Sequence, residues 1–321
     1  MPPEMGARLR ALLRKIQVPQ PVKRWLRRQA APVVTARFPD IARDLHCSAA
    51  RRKAFFDAGF GEYLVACGPE TYVVSTSDAV IGREVFAHGE FEFGVFERVR
   101  ALAGLPADGV TLVDVGANIG VTSLPAVKRG LVARAIAIEP EPSNLRLLKA
   151  NTALNGLGDA VTIVACAAGE ETGGIEFELS PDNHGDHRVR RSGPVRENCF
   201  GEAGRQTIAV DVRTLDDILA GEDIASALLW IDTQGYEGFV LAGATRTLAR
   251  KFPLVIEFWP YGMDQSGSYP RLVKALAASP YTRFHALRDP DGEPRPLTVE
   301  NLDALKGRLT GPEASTDLLI L

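Results

Sequence analysis

The stretch VTLVDVGANIG, residues 110–120, constrains the fold more than any other part of the chain. Six mostly apolar residues run into Gly116, and Gly120 follows four positions later. A short apolar run closed by a small-residue turn reads as a buried strand passing into a helix. Such a unit hides its apolar sides only inside a sheet covered on both faces. The pattern then repeats. AIAIE (135–139) is a second strand, followed by a helix over PSNLRLLKANTALNG with Ser143 as its expected N-cap. VTIVACA (161–167) is the third strand, LLWID (228–232) the fourth and PLVIEF (253–258) the fifth. RFHAL (283–287) and TDLLIL (316–321) follow with no evident helix between them, which predicts an antiparallel pair at one edge. The fold class is therefore α/β: a Rossmann-like, seven-stranded, mostly parallel sheet with helices on both faces.

The segments before and within this series are different. Residues 62–76, EYLVACGPETYVVST, predict two strands around a Gly68-Pro69 turn, and a helix is predicted from about Asp78 to His88. Leu9, Leu12, Leu13 and Ile16 have helical spacing, with Pro19 and Pro21 ending the run. Residues 1–105 thus form a helical arm and hairpin that cap a main domain of residues 106–321. Residues 170–213 are an insertion in that domain, with strand-like GIEFEL and TIAVDV around a polar loop.

Composition excludes several classes. At 45% hydrophobic and 24% charged residues the chain is neither disordered nor fibrous. No apolar run approaches the roughly 20 residues of a membrane span, and no secretory leader pattern opens the chain. Cys47, Cys67, Cys166 and Cys199 lack metal or redox spacing, so reduced thiols and a cytoplasmic location are expected. Residues 1–30 hold eight Arg or Lys against Glu4 alone, so they carry +7 and the remainder −10 of the net −3. A body that acidic is a poor nucleic-acid binder. The basic arm reads more readily as a helix packed on its own domain than as a membrane-surface contact.

A glycine turn between strand and helix offers a nucleotide-like ligand a close backbone approach. A nicotinamide or flavin site would show G-x-G-x-x-G; here the order is Gly116-Ala117-Asn118-Ile119-Gly120. Asn118 stands where a middle glycine would, and Asn tolerates a left-handed backbone best among other residues. Asp114, on the strand leading in, repels a pyrophosphate and attracts a ligand with a cationic amino group. S-adenosylmethionine has that group, a sulfonium and no phosphate. Glu139, 23 residues after Gly116, ends the second strand where an acid accepts ribose hydroxyls. Pro140 beside it and Ala167 after the third strand belong to the same expected cofactor edge.

VDVGANIG (113–120), IEPEPSNLRLLKANTALN (138–155), TLDDIL (214–219), WIDTQGYEGFVLAGA (230–244) and VIEFWP (255–260) together resemble the FkbM family of S-adenosylmethionine-dependent methyltransferases, as does VVSTSDAVIGREVFAHGEFE (73–92). The resemblance spans roughly Glu62 to Pro260. It implies a class I methyltransferase fold with one antiparallel strand near the sheet edge, and usually O-methylation of a hydroxyl. Family acceptors include macrolides, sugars and other secondary metabolites. In one departure, Trp230 stands where the family commonly has a lysine.

Ligands of open α/β sheets sit outside the carboxyl ends of the strands, where Asp232 and Glu257 end the fourth and fifth; both are expected to face the reactive end of the cofactor, Asp232 also as a cofactor contact and Glu257 as a further catalytic candidate. Asp232 is the first candidate for a base or acceptor-orienting group; the alternative is a cap on the following helix. Glu237 reads as a first-turn acid favoured by the helix dipole rather than as a pocket residue. Phe258, Trp259 and Tyr261 read as core, or as aromatic faces for a sulfonium. DNHGDHRVRR (182–191) reads as an acceptor loop with His184 or His187 as base, as a divalent-metal site completed by Asp232, or as a polar surface loop. The acceptor loop is preferred, and no residue is assigned to a metal. Its arginines are candidates for holding an anionic acceptor. Glu92, with Glu90 nearby, is placed near the cofactor by the resemblance; the alternative is a capping acid. The expected partner is a small-molecule or sugar acceptor. N-methylation is the alternative within the class, and a NAD-dependent oxidoreductase is the alternative outside it.

Overall fold

The computed structural model describes residues 48–59, 61–106, 108–190, 199–289 and 292–321. The basic arm, Cys47 and Arg191 lie outside them. Strands in chain order are β1 (Tyr63–Cys67), β2 (Thr71–Ser75), β3 (Val110–Val115), β4 (Arg134–Ile138), β5 (Val161–Val164), β6 (Ala167–Ala168), β7 (Gly173–Leu179), β8 (Arg188–Val189), β9 (Gln206–Arg213), β10 (Ser226–Ile231), β11 (Leu254–Phe258), β12 (Arg283–Ala286), β13 (Arg295–Pro296) and β14 (Thr316–Ile320).

The main sheet has the order β13-β12-β14-β11-β10-β3-β4-β5. From β11 through β10, β3 and β4 to β5 every pairing is parallel; β14 runs antiparallel to both β11 and β12. These are the seven strands expected, with the two-residue β13 added at the edge. The burial of all of β3 and of Ala227–Leu229 and Ile231 in β10 follows from their central place, covered on both faces. The order turns back between β3 and β10. A cleft forms at such a switch point, outside the carboxyl ends of the strands. This is a class I methyltransferase fold.

Three expectations change in detail. A helix, Val299–Arg308, does lie between β12 and β14; only Leu302 and Leu305 are buried, too few for an apolar period to show. The helix after β4 spans Pro142–Leu154 and is capped by Glu141, whose Oε2 accepts the Asn144 N–H at 2.6 Å; Ser143 sits inside it. The third strand divides, since β6 leaves the main sheet for a second one, β6-β9-β7-β8, built from the insertion.

The hairpin β1–β2 docks through two asparagines four residues apart on one face of the helix Pro142–Leu154 and its C-cap. Asn151 Oδ1 accepts the Val73 N–H at 2.7 Å and Asn155 Oδ1 the Thr71 N–H at 3.0 Å; Asn155 Nδ2 returns a bond to the Thr71 carbonyl at 2.8 Å. The amides thus replace a missing strand partner and satisfy an edge that would otherwise be open. Beneath them, Tyr72, Val74, Val85, Phe93 and Phe96 share one apolar cluster with Val110, Leu112 and Leu148. The boundary at residues 105 and 106 therefore divides segments with a common core. Among the described residues no helix is long and apolar enough to cross a membrane.

Candidate active site

The turn after β3 closes on itself. Gly116 and Ala117 both donate to the Ile138 carbonyl, at 3.0 and 3.1 Å. The Asn118 N–H donates to Glu139 Oε2 at 2.8 Å, Ile119 to Asn118 Oδ1 at 2.8 Å, and Gly120 to the Ala117 carbonyl at 2.8 Å. All five N–H groups from Gly116 to Gly120 are thereby used within the protein. Asn118 has φ +51°, the left-handed geometry expected of it. Gly116 has φ +91°, and a Cβ there would fall 1.9 Å from the Asp232 carbonyl oxygen, so only glycine lets the turn pass the end of β10.

Strand register carries the acids to one edge. Asp114 is opposite Trp230 across β3–β10, and Glu257 is opposite Asp317 across β11–β14. Asp114 is buried and accepts the Ser123 hydroxyl at 2.5 Å; burial, with the Asp232 charge adding, raises its pKa to about 7. Glu139 is buried too, and takes the N–H of Glu141 at 2.9 Å on its other oxygen; burial raises it to about 7. Burial also raises Asp232, with the charge of Glu92 adding to it. Glu257 is pushed well above the usual carboxylate range by burial and then by Asp232, and Asp317 to about 7 by burial and then by Asp232. A cation placed among these carboxylates would relieve the penalty that burial and their mutual repulsion put on the charged forms.

Most of these residues line one cleft that is partly open to solvent. Asp114, Gly116, Ala117, Asn118, Glu139, Pro140, Ala167, Asp232, Glu92, His184 and His187 all face it; Gly120 and Glu257 stand behind its wall. Gly120 is instead wedged against Leu124 and Leu148. The cap contributes Phe91, Phe93 and Phe96, and the Phe96 ring lies 5.7 Å from that of Trp230, also on the cleft. Where a lysine was implied, an aromatic wall stands.

Asp232 does not cap the next helix, which begins at Glu237. Glu237 holds that turn itself: its Oε1 accepts the Thr233 N–H at 2.8 Å, the Thr233 hydroxyl at 3.0 Å and the Gly235 N–H at 3.2 Å. It is fully buried, which raises its pKa to about 7; the dipole account is incomplete. Gln234, at φ +56°, donates through Nε2 to Asp232 Oδ1 at 2.8 Å and Glu257 Oε2 at 3.1 Å.

The insertion loop divides by function. The His184 carbonyl accepts Nδ2 of Asn118 at 3.0 Å and of Asn144 at 3.3 Å, pinning the loop over the turn. The His184 ring is 3.1 Å from the Ser77 hydroxyl. The surroundings of His187 favour a donor over the expected base. Its Nδ1 accepts the Ser180 N–H at 3.0 Å, so the neutral ring carries its proton on Nε2, and burial, with the charges of His184 and Arg205 adding, lowers its pKa to about 3. It is a donor. Asp186 and Arg188 are buried, and Asp186 pairs with Arg188 and Arg205, so neither belongs to a metal or anion site in this loop. Arg188 further meets Glu202 at 3.4 Å and lies 5.1 Å over the Trp259 ring. Arg190 sits 3.6 Å from Glu176. Phe258 and Trp259 are core and do not face the cleft. Glu92 occupies the N-cap position of the helix Phe93–Leu102 at φ +48° without a capping bond, while Glu90 pairs with Arg129 at 3.2 Å.

Sequence reasoning missed Asp317, Gln234 and the three cap phenylalanines. A lone acid within the apolar TDLLIL was the one available signal for Asp317.

Residues 114–281 match the methyltransferase FkbM domain. Methyltransferase sdnD of Sordaria araneosa is 26% identical over 199 residues, covering 54% of this chain and 74% of that protein. Methyltransferase FkbM from Methylobacillus flagellatus KT, a solved structure, is 22% identical with a TM-score of 0.41; the match covers 68% of this chain and 45% of that one. The chain thus spans less than half of that protein. M. jannaschii TYW2, solved in complex with AdoMet, is 13% identical with a TM-score of 0.38, covering 82% and 85%. On the domain match, which takes in more than half of its residues, the chain belongs to the FkbM family of methyltransferases.

Proposed function

We propose that this chain is an S-adenosylmethionine-dependent methyltransferase acting on a hydroxyl of a sugar or another secondary metabolite. One observation carries the choice of cofactor. The five N–H groups from Gly116 to Gly120 are already bonded within the protein, and Asp114, Glu139, Asp232 and Asp317 line the cleft beside them. A pyrophosphate requires free N–H donors and is repelled by carboxylates. A cationic adenosyl ligand without phosphate requires neither, which weighs against a nicotinamide oxidoreductase.

Asp114 would face the cofactor's amino group, and Glu139 keeps lone pairs for ribose hydroxyls beyond its two backbone bonds. Gly116, Ala117, Asn118, Pro140 and Ala167 shape the adenosyl side. When bound, the cofactor supplies an electrophilic methyl group on a sulfonium. Phe91, Phe93, Phe96 and Trp230 keep water from the reacting end, and Asp232 orients the acceptor hydroxyl and takes its proton. His187 Nε2 and the His184 ring are hydrogen-bonding groups for the acceptor. Nothing in so acidic a cleft suits nucleic acid.

The test is transfer of a tritiated methyl group from S-adenosylmethionine to panels of sugars, polyketide alcohols and amines. Label on an alcohol, lost in Asp232→Asn while S-adenosylhomocysteine still binds, is expected. Label on amines alone would replace O- with N-methylation.

A further inference from the structure

Where Asp232 faces the cleft, three carboxylates converge. One oxygen from each of Asp232, Glu237 and Glu257 lies within 4.8 Å of one from each of the others. Opposite ligands of a single hard cation are separated by about 4–5 Å, twice a bond of about 2.0–2.6 Å. The spacing thus suits one shared ion.

Proximity of acids is common on protein surfaces, but here a second feature points to a ligand. Glu237 has no exposed surface, and its two oxygens differ. Oε1 receives three donors from the turn at Thr233 and Gly235. Oε2 is fully buried and has no hydrogen-bond partner. A buried carboxylate oxygen without a donor costs about 1–3 kcal/mol or more; Glu178 Oε2 and Asp186 Oδ1 are also in that state, but of the three residues only Glu237 belongs to the converging trio. In that trio, half-buried Asp232 lines the cleft and gives an ion a way in.

The groups around the trio complete the picture. The Gln234 amide nitrogen bridges Asp232 Oδ1 and Glu257 Oε2, bringing partial positive charge to the space between them. Rotation of that amide by half a turn exchanges its NH₂ for its carbonyl oxygen and offers a fourth oxygen ligand. The donor set is entirely oxygen, without His or Cys, which selects Mg²⁺, Mn²⁺ or Ca²⁺ over zinc.

We propose that Asp232, Glu237 and Glu257 bind one divalent, oxygen-seeking cation at the acceptor end of the cleft. If the chain has the methyl-transfer function proposed above, on which this role rests, the ion would hold the acceptor oxygen next to Asp232 and lower the pKa of its hydroxyl. The site itself does not depend on that function.

The test uses the full chain and Mn²⁺ alone, followed by the loss of the free-ion electron paramagnetic resonance signal. S-adenosylhomocysteine binding is measured in parallel by calorimetry. One Mn²⁺ per chain is expected, displaced by excess Mg²⁺ or Ca²⁺. Glu237→Gln and Glu257→Gln should each weaken Mn²⁺ at least tenfold, and the exposed control Glu62→Gln should leave it unchanged. If Glu237→Gln fails to fold, Glu257→Gln decides. No Mn²⁺ bound at millimolar concentration, or equal binding in both variants, overturns the proposal. A chain that binds S-adenosylhomocysteine but no Mn²⁺ loses the ion and keeps the methyltransferase; the reverse result keeps the ion and removes the cofactor assignment.

Discussion

Asp114→Asn should make this protein more stable and a worse cofactor binder at the same time. Asp114 is 2% exposed, and burial carries its carboxyl from 3.8 to about 7. Between those values the folded chain holds a proton that the unfolded chain has released. The stability this contributes is full below about pH 4, declines as pH rises, and is gone above about pH 7. The shift of roughly three units corresponds to about 4 kcal/mol at most. Asparagine has no proton to lose and keeps an oxygen for the Ser123 hydroxyl. At pH 8 the variant is therefore expected to gain up to about 4 kcal/mol, or roughly 8 °C in melting temperature at about 2 °C per kcal/mol. At pH 4 the two proteins should melt together. Affinity for S-adenosylhomocysteine at pH 8 should fall at least tenfold, about 1.4 kcal/mol, because the charge opposite the ligand's amino group is gone. Urea unfolding and calorimetry at both pH values measure the pair. A variant less stable than wild type at pH 8, or one with unchanged affinity, would refute the reasoning.

Other substitutions probe separate parts. Asp232→Asn should lower turnover by about 10²–10⁴-fold in the tritium assay while S-adenosylhomocysteine affinity changes little. Gly116→Ala puts a methyl group 1.9 Å from the Asp232 carbonyl oxygen, and is expected to abolish ligand binding by calorimetry even where circular dichroism shows a folded chain. Asn151→Leu leaves the Val73 N–H and the Ile119 carbonyl without their amide partners and should cost about 2–3 kcal/mol in urea unfolding. The His187 ring proton signals should not titrate between pH 5 and 8 in NMR spectra; a midpoint near the ordinary value of 6.5 would restore it as a base.

The strands of the sheet were legible because each is a short apolar run beside a turn, and the backbone geometry at Gly116 and Asn118 because it is local to one strand–turn–helix unit. What escaped depends on distant pairing. Glu257 meets Asp317 only through the β11–β14 register, across sixty residues of chain. The place of Phe96 against Trp230 depends on how the cap docks, and that docking is set by Asn151 and Asn155, which in sequence read only as polar positions of a helix. The histidine-rich loop is hard to read for a related reason: residue type alone says nothing of the Ser180 N–H, seven residues back, that donates to His187 Nδ1. Chain position shows Glu237 only as an acid at a helix start, and its complete burial is a second environment that chain position does not carry.

Titration of the full chain with S-adenosylhomocysteine and separately with NAD⁺, followed by calorimetry and by tryptophan fluorescence, to which Trp230 on the cleft wall contributes, tests the central claim most directly. Saturable one-to-one binding of S-adenosylhomocysteine and no heat with NAD⁺ is the expected result. Saturation by NAD⁺ with none by S-adenosylhomocysteine would contradict it.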